Sequence, residues 1–139
     1  MVAENGCYAV GALAMDDANN KQELGRIGAC AAVVKALNSF GNIDENVALE
    51  ACRAVGALAM EDANNKQELG RVGACAAVIK ALNSFGNMNE DVAIEGCRAV
   101  GALAKNDTNN KRAFRALNAR SVVVACLKSK WKESALEQI

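Results

Sequence analysis

Apolar side chains recur every three or four residues along most of the chain, and this spacing predicts α-helices. The stretch ACAAVIKALNSF at 74–85 is the clearest example. It places Ala77, Val78, Ala81, Leu82 and Phe85 on one helical face. A longer run at about 89–105 follows, and the polar stretch NNKQELGRV precedes both. One period of the chain therefore predicts three helices.

Polar residues and glycines mark the predicted helix ends. Asn65 with Glu68 three residues later resembles a capping box at the start of the first helix. Gly73 can take the positive φ that ends this helix. Asn87 and Glu90 repeat the N-x-x-E pattern before the third helix.

The third helix combines a broad apolar face with many small residues. The apolar face is formed by Val92, Ile94, Cys97, Val100 and Leu103. Glycine in a helix interior costs about 1 kcal/mol relative to alanine. The glycines and alanines of this helix therefore predict that another helix backbone approaches closely.

The sequence repeats itself with a period of 45 residues. Residues 5–45 match residues 50–90 at 33 of 41 positions, and a third copy begins at 95. Such a period indicates a repeat array. We predict one all-α domain over 1–139, a right-handed solenoid. It would comprise a partial repeat (the third helix, 1–15), repeats at 16–60 and 61–105, and a partial repeat with C-terminal cap at 106–139.

Composition agrees with closely packed helices. The 139 residues include 28 alanines, 4% aromatic residues and no proline. The six cysteines mostly follow the repeat, with neither a C-x-x-C motif nor a histidine, so a zinc site is not expected. We predict that the cysteines are small buried apolar residues in a reducing compartment.

Charge and hydropathy limit the classes of partner. The net charge is zero, with −4 over 1–105 and +4 over 106–139, which disfavours nucleic-acid binding but would suit self-association through the ends. No apolar run predicts a membrane span, and the first residues do not resemble a secretory signal. We therefore expect an intracellular location, cytoplasmic or nuclear, or else a piece of a longer protein whose signals lie elsewhere. The basic side chains of the tail, with Trp131 among them, are interpreted as the outer face of the last helix: Arg112, Arg115, Arg120, Lys128, Lys130 and Lys132.

Catalytic motifs are absent from the sequence. Without histidine, no Ser-His-Asp or Cys-His arrangement is possible, and no phosphate-binding glycine loop occurs. The stretch DDANNKQEL at 16–24 lacks the central glycine of a calcium loop. Its acidic residues, and those at 61–62, are better interpreted as residues before a helix N-terminus. We expect no enzyme activity, cofactor or metal.

The repeated phrases resemble the armadillo repeat family. GACAAVVKAL at 28–37 and GACAAVIKAL at 73–82 are similar to its second helix, and EACRAVGALA at 50–59 and EGCRAVGALA at 95–104 to its third. HEAT repeats are the alternative family that the pattern most resembles after armadillo repeats. The resemblance implies a concave surface lined by third helices. It also implies a non-catalytic scaffold that binds a peptide or a partner helix there.

The peptide-binding residues of importin alpha and beta-catenin relatives are only partly present. Their tryptophan position falls on Tyr8, Arg53 and Arg98. Their asparagine position falls on alanine in all three copies, so an importin-like grip on peptide backbone is not expected. The proposed surface residues are Tyr8, Arg53 and Arg98 with Glu50, Glu95 and Asn5.

Two interpretations of these residues remain open. The arginines could bind an acidic peptide or a terminal carboxylate. Alternatively, and with more weight, Arg53 pairs with Glu50 and Arg98 with Glu95 on a solvated helix face. The chain as a whole could also be a self-assembly unit, or a regularised repeat scaffold, designed or recently duplicated, without its own ligand.

Overall fold

The computed structural model describes the backbone of residues 1–137 and the side chains of residues 1–128. All regular structure in this part of the chain is helical, which confirms the all-α class. The nine helices described are α1 (Val2–Ala14), α2 (Ala18–Arg26), α3 (Ala29–Phe40), α4 (Glu45–Ala59), α5 (Ala63–Arg71), α6 (Ala74–Phe85), α7 (Glu90–Ala104), α8 (Thr108–Ala116) and α9 (Ala119–Glu137).

Helices three apart in the chain pack side by side. Helix α4 lies between α1 and α7, α5 between α2 and α8, and α6 between α3 and α9. The core lies where these three rows meet. Its fully buried side chains include Val55, Leu58, Val78, Leu82 and Leu103. We call α1, α4 and α7 the third helices. We call each group of three consecutive helices, α1–α3, α4–α6 and α7–α9, a layer.

The predicted first-helix cap is wrong by three residues. Asp62, not Asn65, caps α5, and its Oδ1 accepts from Asn65 N at 2.9 Å. The extended backbone of Asp62 lets its side chain fold back, while Glu61 before it turns the chain at φ 57°. An aspartate at the turn therefore leaves Asn65 inside the helix. The expectation that the acidic pairs precede helices is confirmed.

The third helix predicted at about 89–105 is confirmed by α7 to one residue at each end, but the predicted N-x-x-E start places its cap wrongly. Asn89, not Asn87, caps α7 and accepts from Val92 N at 3.1 Å. The positive φ predicted at Gly73 is confirmed at 95°, and the equivalent residues before the other second helices, Gly28 and Asn118, have φ of 97° and 58°.

Close approach of the third helices is confirmed at two glycines. A Cβ on Gly11 would lie 3.5 Å from Ala54 Cα, and a Cβ on Gly56 would lie 3.7 Å from Ala99 Cα. These are contact distances, so the two helix backbones nearly touch there. The predicted apolar face holds in part: Val92 is fully buried, but Ile94 is 41% exposed.

The last helix is longer than its counterparts α3 and α6. Helix α9 continues from Ala119 to Glu137, so residues 132–137 extend it and do not form a separate third helix. Arg120 and Lys128 are exposed on α9, as expected for the outer face of the last helix, whereas Arg112 and Arg115 are exposed but lie on α8, so the prediction was wrong for these two. The side chains of Lys130, Trp131 and Lys132 lie outside the described residues.

Candidate functional site

The six predicted surface residues lie on the three third helices. Asn5 and Tyr8 belong to α1, Glu50 and Arg53 to α4, and Glu95 and Arg98 to α7. Because α1, α4 and α7 pack side by side, the sequence positions 45 residues apart come together across the layers. We call this set the third-helix face.

Four of these residues form a charge ladder across two layers. Arg53 Nη1 donates to Glu50 Oε1 at 3.1 Å, and Arg98 Nη1 donates to Glu95 Oε1 at 3.2 Å. Arg53 Nε also lies 3.7 Å from Glu95 Oε1 in the next layer. The predicted pairing within each helix is confirmed. The pair between layers was missed, although the repeat arithmetic that aligns Glu95 with Glu50 was the available signal.

The ladder leaves its two ends exposed. The side chain of Glu95 is only 11% exposed between two arginines, whereas that of Arg98 is 66% exposed. At the other end, Tyr8 is 58% exposed and Asn5 is also exposed. The middle of the face is therefore occupied by internal ion pairs. The phenol of Tyr8 and the guanidinium of Arg98 remain exposed to solvent.

Thiols on the same helices are shielded and weakly acidic. Burial, with a smaller contribution from Glu50, raises the pKa of Cys7 to about 11. Burial and Glu95 raise the pKa of Cys52 to about 12. Because a thiolate is the nucleophile and the metal ligand, these thiols are poor at both roles near neutral pH. Among the described residues, no three His, Cys, Asp or Glu side chains come close enough to hold a metal ion.

Buried asparagines join the layers, and sequence reasoning missed them. Asn65 Nδ2 donates to Leu58 O in its own layer and to Lys21 O in the preceding one, both at 3.0 Å. Asn110 makes the equivalent two bonds one layer further on. The signal was an asparagine recurring every 45 residues inside a helix, where its propensity is poor.

Lysines make a second set of bonds between layers. Lys21 Nζ donates to Met60 O at 2.7 Å, and Lys66 Nζ donates to Lys105 O at 2.8 Å. Each acceptor is the C-cap residue directly after a third helix. A positive charge at a helix C-terminus is favourable, because it meets the negative end of the helix dipole. Both lysines are buried, and among the described residues neither forms an ion pair with a carboxylate. Neither lysine was predicted as a site residue.

Comparison with protein-family models, with curated protein sequences and with solved structures finds no match. The armadillo resemblance therefore rests on the repeated phrases alone. Within the described part of the chain, no helix combines the length and the apolar character needed to cross a membrane.

Proposed function

We propose that the protein is a non-catalytic interaction module built as a right-handed, armadillo-like solenoid with a 45-residue layer. Its ligand would be a peptide or a partner helix lying across the third-helix face. Three rows of like helices, joined by the same asparagine and lysine bonds at each step, support this architecture. A rigid, repeating surface suits extended partners that cross several layers.

The observation that carries the binding proposal is the asymmetry of the charge ladder. Glu50, Arg53 and Glu95 engage one another and are largely shielded. Tyr8 and Arg98 project at opposite ends of the same face. Tyrosine and arginine are the residue types enriched at the energetic centres of protein interfaces. Both are therefore the anchors in this proposal.

The ligand chemistry follows from Arg98. Its Nη1 bonds Glu95, and the side chain is otherwise open to solvent. A guanidinium presents several donors in one plane, which suits a carboxylate with two oxygens. A peptide fits this pair if it carries a carboxylate, from an acidic side chain or its terminus, for Arg98 and an apolar residue for Tyr8 about two interhelical spacings away.

Selection from a displayed library of random peptides tests this function. The wild-type chain should enrich peptides with a carboxylate and a hydrophobic residue. Arg98→Ala and Tyr8→Ala should each lower the affinity for the enriched peptides by about tenfold or more, which corresponds to about 1.4 kcal/mol of binding free energy.

A matched control distinguishes the site from general charge effects. Arg26 is exposed and pairs with Glu23 on α2, away from the third-helix face. Arg26→Ala should leave peptide binding unchanged. Equal losses for Arg26→Ala and Arg98→Ala would count against the site, and failure to enrich any peptide would count against the function.

We also propose an intracellular location, because every cysteine with a described side chain is a free thiol.

A further inference from the structure

The outward side of α1 exposes positions that are buried elsewhere in the fold. Val2 is 88% exposed and Leu13 is 53% exposed. Their counterparts 45 and 90 residues later are fully buried: Val47, Val92, Leu58 and Leu103. Gly6 and Ala9 are also exposed between them, whereas the equivalent positions of α4 and α7 are buried. We call Val2, Gly6, Ala9 and Leu13 the α1 face.

The outward side of α7 carries open cavities where the next third helix would pack in an internal layer. A cavity of about 670 Å³ is lined by Val100, Phe114 and Val123 among others, and one of about 480 Å³ by Ile94, Cys97 and Leu127 among others. Between layers, Gly56 of α4 touches the backbone of α7 at Ala99. Its counterpart Gly101 on α7 has nothing within 4 Å of an added Cβ.

We propose that the α1 face of a second copy of this chain docks on the outward side of α7, so that copies associate head to tail. Helix α1 of one copy would continue the row of third helices in the other. Ala9 would meet Gly101 as Ala99 meets Gly56, and the side chains of the α1 face would enter the apolar cavities. This contact borders Arg98, which lines one groove together with Gly101, but it needs no peptide and does not rest on the proposed peptide binding.

Two polar features support a copy of this chain as the occupant. Lys21 and Lys66 each reach the carbonyl that ends a third helix in the next layer. Lys111 is the next lysine in this series, and Met15, the C-cap residue of α1, would present the matching carbonyl. Charge agrees: residues 106–128 carry five Lys or Arg and one Asp, whereas residues 1–26 carry four Asp or Glu and two Lys or Arg.

Arg115 makes the junction weaker than the contacts within the chain. Gly25 and Gly70 leave room for Asn65 and Asn110, because a Cβ on either glycine would overlap the asparagine Oδ1. The position equivalent to these glycines in α8 is Arg115, which would face Asn20 of the incoming copy. Its side chain prevents Asn20 from seating as the buried asparagines do. Association is therefore reversible and depends on concentration.

Sedimentation velocity over a range of micromolar concentrations tests the proposal without any peptide. The wild-type mass should rise with concentration beyond a dimer, since a head-to-tail contact does not close. Ala9→Glu and Gly101→Glu, both at exposed positions, should each be monomeric. Mixed together, they should form a one-to-one dimer, because each retains the surface that the other lacks.

Controls separate this arrangement from its rivals. Ala31 lies on α3, and its position is exposed in α3, α6 and α9 alike. The Ala31→Glu variant should therefore assemble like the wild type. Arg115→Gly should tighten association by about tenfold. Arg115→Ala, which keeps the Cβ, should not. Circular dichroism establishes that each variant is folded.

Three results would overturn the proposal. A wild-type chain that is monomeric at every concentration removes the contact itself. A Gly101→Glu variant that still dimerises indicates a two-fold contact between α1 helices instead. Equal behaviour of Arg115→Gly and Arg115→Ala shows that copies do not stack in the register of the internal layers.

Discussion

Replacing Asn65 by alanine should destabilise the fold far more than the loss of one surface amide. Its Nδ2 bond to Leu58 O satisfies a carbonyl at the end of α4, where no helical donor follows. Leaving such a buried acceptor unpaired costs about 1–3 kcal/mol. Loss of the second bond, to Lys21 O, adds about 1 kcal/mol. The free energy of unfolding should therefore fall by about 2–4 kcal/mol.

Urea unfolding followed by far-ultraviolet circular dichroism measures this change, and the chain contains its own control. Asn20 makes the same bond to its own layer, to Leu13 O at 3.0 Å, but it is exposed and makes no bond to another of the described layers. Water replaces that bond, so Asn20→Ala should cost less than about 0.5 kcal/mol. Similar losses for the two variants would refute the claim that the asparagine stabilises by joining layers.

Three further predictions address the same contacts between helices. Gly70→Ala should lower the thermal midpoint because the added Cβ overlaps Asn110 Oδ1. Gly101→Ala has open space around the added Cβ and should raise the free energy of unfolding by up to about 1 kcal/mol in dilute solution. A gain at both positions would contradict the packing. Lys66→Met should reduce the free energy of unfolding by about 1.5–3 kcal/mol because α7 loses the charged donor at its C-terminus, and an unchanged urea midpoint would show that the bond contributes nothing. In the folded state the pKa of Cys52 rises from its ordinary value of 9.0 to about 12, so the folded state binds this proton more tightly than the unfolded state does. The contribution of Cys52 to the free energy of unfolding is therefore complete below pH 9 and is lost as the pH rises toward 12. Urea midpoints across this range should fall more steeply for the wild type than for Cys52→Ala, and parallel curves would argue against a buried thiol.

Local features of the chain could be predicted well from sequence. The helical spacing of apolar residues, the 45-residue repetition and the turn glycines all correspond to helices and turns in the structure. The pairing of Arg53 with Glu50 was also predictable, because residues three apart on a helix are neighbours whatever surrounds them. Such properties depend on residues close together in the chain.

Contacts between layers could not be predicted with the same success. The spacing of Asn65 to Glu68 fits a capping box, which predicts Asn65 as a helix cap. In the structure Asn65 lies inside α5, and its side chain is buried against the preceding layer, where it bonds Lys21 O. Ile94 fits the apolar face of its helix, but it lies toward solvent where no further layer covers it. In both cases the deciding neighbour is 40 or more residues away or is absent from the fold.

By itself, the sequence determined which segments are helical, where they turn, and that each unit returns every 45 residues, because these properties follow from local backbone preferences and periodicity. Only the tertiary structure decided which equivalent positions differ in environment. Leu13 is exposed and Leu58 is buried although their local sequences are nearly the same. The physical reason is that burial and hydrogen-bond satisfaction depend on the layer packed alongside, which the local sequence of a repeat does not specify.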